Sequence, residues 1–157
     1  MGDRAAVLAQ VRAAFPAVPI AAATFFDQRG TTYPDADPYL AQLDGRTWDE
    51  MDPVFAAKRV DALSFLDDAG LVAVLPLYLR LLLETAGSDR FVVDYTLLPL
   101  LTKPAKVESR EGRRFATLIA ALTPAQHAAV RAVLEQFTAE LPNEGGPAIT
   151  ALDSYWR

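Results

Sequence analysis

Apolar residues recur at helical spacing from the first turn of the chain. Val7, Leu8, Val11 and Phe15 fall on one face of a helix that Asp3 can cap and that Pro16 and Pro19 end. Two further starts share one device. Asp37-Pro38 and Asp52-Pro53 each put a carboxylate where an N-cap belongs and a proline at the first helical position, where its missing N–H is not needed. Gly45 stops the first of these helices, and Thr47-Trp48-Asp49-Glu50 ahead of the second fits a capping box. Val54, Phe55 and Val60 are expected to face the core. Asp67-Asp68 opens another helix with negative charge at the positive end of its dipole. Pro76 then either begins a new helix or kinks this one. Leu77 to Glu84 is apolar nearly all round, the pattern of a helix buried among others.

The second half repeats the pattern. A helix is predicted from about Arg113 to Leu122, and Thr123-Pro124-Ala125-Gln126 combines cap, proline and box in the strongest start signal of the chain. It opens a long helix to about Leu141 with Val130, Val133, Leu134, Phe137 and Leu141 on one face. After the break at Asn143-Glu144-Gly145-Gly146, Pro147 to Trp156 reads as a short terminal helix. Residues 17–33 hold no sustained period, and Phe91 to Leu101 has strand propensity in its first half and helix character in its second. The expected fold is mainly α, a single compact multi-helix domain over residues 1–157. One small strand pair near Thr24 and Val92 is left open. The polar connector Thr102 to Arg114 is the expected flexible loop.

Composition narrows the chemistry more than it names it. The chain has 157 residues, 52% hydrophobic and 22% charged, which is globular composition. Fifteen Lys and Arg against twenty Asp and Glu give a net charge of −5, which argues against a nucleic-acid partner. Cysteine is absent, so disulfides, thiolate metal sites and cysteine nucleophiles are all excluded. A single histidine excludes sites that need two imidazoles. Gln10 and Arg12 interrupt the apolar start that a secretory leader would need. The longest apolar run, Leu71 to Leu83, contains Pro76 and Arg80 and is too short to span a bilayer. A cytoplasmic protein without membrane contact, metal, cofactor or catalytic residue is the expectation.

Two groups of residues remain as candidates. Between Asp35 and Asp68 nine carboxylates stand against Arg46, Lys58 and Arg59. Several of these acids sit where helix caps belong, yet Trp48 beside Asp49, Glu50 and Asp52 would make an acidic, aromatic contact patch for a basic protein partner. The alternative is a small-ligand or enzymatic cleft built from Asp61, Tyr78, Arg80 and His127. Against it, Arg80 has Glu84 one turn away as an ion-pair partner, and His127 has no nucleophile elbow or orienting group in sequence. Lys103 to Arg114 is locally basic without a glycine-rich phosphate loop, which favours a solvated loop.

The stretches Arg46-Thr47-Trp48-Asp49-Glu50-Met51-Asp52-Pro53-Val54-Phe55, Asp61-Ala62-Leu63-Ser64-Phe65-Leu66, Leu75-Pro76-Leu77-Tyr78-Leu79 and Leu122-Thr123-Pro124-Ala125-Gln126, with the terminal Tyr155-Trp156, together resemble a bacterial family of domains of unknown function. The likeness runs from about Arg46 to Trp156. It implies a small bacterial cytosolic protein and supplies no activity, cofactor or catalytic residue. The expected function is a non-enzymatic protein-binding module of the immunity or regulatory type, acting on a basic partner. A structural homo-oligomer, its apolar surplus covering a subunit interface, is the third reading.

Overall fold

The computed structural model describes residues 3–21, 36–58, 63, 66–84, 96–140 and 146–157. It is mainly α-helical, as the periodicity predicts. The helices are α1 (Arg4–Ala14), α2 (Ala36–Leu43), α3 (Pro53–Ala57), α4 (Asp68–Glu84), α5 (described over 96–101), α6 (Arg110–Ala121), α7 (Pro124–Glu140) and α8 (Gly146–Ala151). The last of these runs into a π-helical turn, Leu152–Trp156, in which the Arg157 amide donates to the Leu152 carbonyl at 3.1 Å. Both regions suggested for a strand pair, around Thr24 and Val92, lie outside the described residues.

Most helix starts follow the caps that the sequence supplies. Asp3 accepts from the Ala5 amide at 2.9 Å, Asp52 from Val54 at 2.9 Å and Asp67 from Gly70 at 2.7 Å. The Thr123 capping box is complete: Thr123 N–H donates to Gln126 Oε1 and the Gln126 amide donates to Thr123 Oγ1. Two starts differ from expectation. Helix α2 begins at Ala36, so Asp37 lies inside its first turn and not ahead of it. Helix α6 begins at Arg110, because Ser109 Oγ accepts from the Gly112 amide at 3.0 Å, so residues 110–114 are helix and not connector.

The core is built around α4, which packs against α1, α3, α6 and α7. Every side chain from Val74 to Leu79 is buried, so this helix is apolar all round because it has neighbours all round. Pro76 sits inside one continuous helix and does not begin a second. A proline there removes one backbone bond at a cost of about 3 kcal/mol. Burial of the flanking leucines, at about 1.5–3 kcal/mol each, outweighs it. Helix α3 corrects the expectation for Val54, which is 52% exposed. The buried residues of that short helix are Ala56 and Ala57, whose small side chains allow close approach to α4, while Phe55 stacks on Tyr39 with ring centroids 5.7 Å apart. Long-range polar ties complete the packing, notably Arg4 to Glu140, which joins α1 to α7.

Candidate functional site

The acidic segment folds into a turn at residues 47–52 that is fixed from inside. Trp48 is 3% exposed, and its Nε1 donates to the Phe15 carbonyl at 2.9 Å. This corrects its suggested place in a contact patch: the indole anchors the turn to the core, where its large apolar body and its one donor are both satisfied. Arg80 holds the turn from the side of α4. Its Nη1 donates to the carbonyls of Asp49 at 2.8 Å and Met51 at 3.3 Å, while Nε reaches both Glu84 oxygens at 3.0 Å. The ion pair expected within the helix is therefore present and does more than neutralise a charge.

Among the described residues, the carboxylates of the turn use one oxygen each. Asp49 Oδ1 accepts from Thr47 Oγ1 at 2.6 Å, Glu50 Oε2 from the Thr47 amide at 3.1 Å and Asp52 Oδ1 from Val54. A carboxylate has about four lone-pair sites, so each keeps acceptor capacity on its second oxygen. Glu50 and Asp52 are exposed and Asp49 is half-buried. From residue 44 to residue 58 four carboxylates (Asp44, Asp49, Glu50, Asp52) face two cations (Arg46, Lys58).

The residues of the alternative cleft are committed to separate neighbours. Tyr78 is fully buried, with its hydroxyl 2.9 Å from that of Tyr39. Arg80 is engaged as above. His127 Nε2 lies 3.1 Å from the Ile119 carbonyl, an acceptor only, so that nitrogen carries the proton. The imidazole packs against Tyr155 and Trp156 at centroid distances of 5.9 and 5.4 Å. Asp61 lies outside the described residues. Tyr78, Arg80 and His127 line neither of two clefts found on the described surface.

One of those clefts, of about 340 Å³, lies between α4, α5 and α6. Its walls include Leu71, Pro99, Leu100, Pro104, Phe115 and Leu118. Arg110, Glu111 and Arg114 supply its charged groups. Arg114 is not the solvated loop residue that its basic neighbourhood suggested. Its Nη2 donates to the carbonyls of Leu63 at 2.8 Å and Leu66 at 3.0 Å, and its Nε is 4.0 Å from Asp68. Burial holds this guanidinium below the ordinary arginine range; Arg110 adds to the effect, and Asp68 and Asp67 oppose it. The sequence signal was the spacing of Arg110 and Arg114 one turn apart beside apolar Phe115 and Leu118, which becomes visible once Ser109 is read as the cap.

No group of three or more His, Cys, Asp or Glu that could hold a metal occurs among the described residues. No described helix is long and apolar enough to cross a membrane. No curated protein and no solved structure matches the chain. One family does, over residues 3–157, well beyond the stretch that carried the resemblance in sequence: the chain belongs to a family of unknown function, DUF6714.

Proposed function

We propose that the chain is a non-enzymatic binding module of the bacterial cytoplasm whose acidic turn at residues 49–52 meets a basic protein partner, in the manner of an immunity or antidote protein covering a basic surface. The observation that carries this reading is the preorganisation of the turn. Trp48 and Arg80 tie its backbone to the core, and among the described residues Asp49, Glu50 and Asp52 each hold one oxygen on the turn and leave one for a donor. Charges already fixed in place lose little side-chain entropy on binding. A net charge of −5 adds long-range attraction, which speeds encounter with a cationic surface.

Neutralisation tests the reading without removing the caps. The variant Asp49→Asn, Glu50→Gln, Asp52→Asn keeps an acceptor oxygen at each position, and Asn serves as well as Asp at an N-cap. The variant is expected to keep its Tm and lose the basic partner. Undiminished binding by the neutral variant would overturn the proposal.

A further inference from the structure

We infer that the last turn of the chain, Leu152–Trp156, is a detachable strap that holds α6 to α7 and thereby sets the width of the cleft between α4, α5 and α6. The inference stands apart from the acidic turn and holds whether or not that turn has a partner. Helices α6 and α7 follow one another across Thr123, yet each packs on α4 and hardly on the other. The chain end bridges them. Tyr155 meets Phe115 of α6 edge-on at a centroid distance of 5.4 Å and His127 of α7 at 5.9 Å. Trp156 is buried, 5.1 Å from the Tyr155 ring and 5.4 Å from His127. Aromatic pairs at such separations stabilise beyond the area they bury.

Two hydrogen bonds carry the strap on to the end of α5. Trp156 Nε1 donates to the Leu101 carbonyl at 2.7 Å, and the Lys103 amide donates to Ser154 Oγ at 3.0 Å. Three successive residues, Ser154, Tyr155 and Trp156, therefore tie together the end of α5, the middle of α6 and the start of α7. Helix α6 is otherwise anchored mainly through Arg114, whose Nη2 donates to the Leu63 and Leu66 carbonyls. Its later half supplies Phe115 and Leu118 to the cleft wall. That half rests on the strap twice: Phe115 touches Tyr155, and the His127 ring that donates to the Ile119 carbonyl is oriented by Tyr155 and Trp156.

The strap can leave without the rest of the fold. Helices α1, α4 and α7 pack directly on one another, so their shared core does not need the chain end. Elements that meet their neighbours through few contacts open at less free energy than the core does. A π-helical turn is a rare geometry that occurs as single turns, often at functional positions. Tyr155 is 39% exposed, and the pair between Arg157 and Asp153 is exposed on both sides and adds little. Whatever binds or trims the chain end therefore acts on both α5 and α6, and so on two walls of the cleft at once.

The test measures the α6–α7 distance and local opening in the full chain. The absence of cysteine allows spin labels at Ala116→Cys on α6 and Ala128→Cys on α7, both exposed. Pulsed electron–electron spectroscopy is expected to give one narrow distance with the native chain end and a broadened distribution in Tyr155→Ala. Tyr155→Phe keeps the ring and should stay narrow. In the unlabelled proteins, Tyr155→Ala should speed hydrogen exchange of the amides at 115–121 by roughly three- to tenfold, the worth of an aromatic contact, and leave Val7 and Val11 of α1 as they were. Trp156→Phe is the milder variant: it keeps a ring, removes only the Nε1–H donor, and should speed exchange at 101–103 in the same selective way. An unchanged distance distribution in Tyr155→Ala, unchanged exchange in these segments, or exchange that rises equally in α1 would each overturn the inference.

Discussion

The Arg80 guanidinium lies 2.8 Å from the Asp49 carbonyl, so the one cation of the apolar helix α4 helps hold the acidic turn in place. The same group reaches the Met51 carbonyl and both oxygens of Glu84, and its side chain is only 15% exposed. Arg80→Met keeps the apolar stem and removes the donors, leaving two carbonyls without them. The expected loss is about 2–3 kcal/mol of stability, and a Tm lower by roughly 5–10 °C. Arg80→Lys should fall between the two, because an ammonium lacks the planar fork that bridges turn and helix. Thermal and urea unfolding of the three proteins checks this; a wild-type Tm in Arg80→Met would contradict it.

Gly112 is the position where the cleft's outer loop depends on a missing side chain. A Cβ there would come within 2.5 Å of the carbonyl oxygens of Lys106 and Val107. Gly112→Ala should therefore destabilise by about 1–3 kcal/mol, even though alanine is the better helix former. Limited proteolysis should also show faster cutting between residues 102 and 109. A raised Tm with unchanged proteolysis would show that the backbone is not packed as described.

Thr138 offers the opposite case. Its Oγ1 is buried without a hydrogen-bond partner among the described residues. Thr138→Val replaces the hydroxyl by a methyl of similar shape and removes an unsatisfied group, so stability should stay level or rise by about 1 kcal/mol. Chemical unfolding measures it, and a clear loss would mean that the hydroxyl has a partner.

The fold was legible wherever a cap and an apolar face coincide in sequence. Asp3 with Val7 and Val11, and Thr123-Pro124 with Val130, Val133 and Phe137, both give the start and the buried face of their helices, because those signals are local. Ser109 does not stand out as a cap in sequence because Gly112, three residues on, interrupts the helical pattern that follows. Periodicity does not place Val54 correctly because α3 is too short for it to decide which side is buried. The acidic turn was visible as charge, but its support was not. The bonds from Trp48 to Phe15 and from Arg80 to Asp49 join residues 33 and 31 positions apart, which no spacing rule connects. The Arg110–Arg114 cleft was hidden for the same reason: its opposite wall comes from α4 and α5.

The central claim is tested most directly by affinity capture from bacterial lysate. Wild type and the Asp49→Asn, Glu50→Gln, Asp52→Asn variant are compared at low and high salt, with mass spectrometry identifying what is retained. The account predicts one basic protein held by the wild type at low salt, weakened at high salt as screening shortens the reach of surface charge, and absent from the neutral variant. A partner retained equally by both proteins, or no specific partner at either salt, would contradict it.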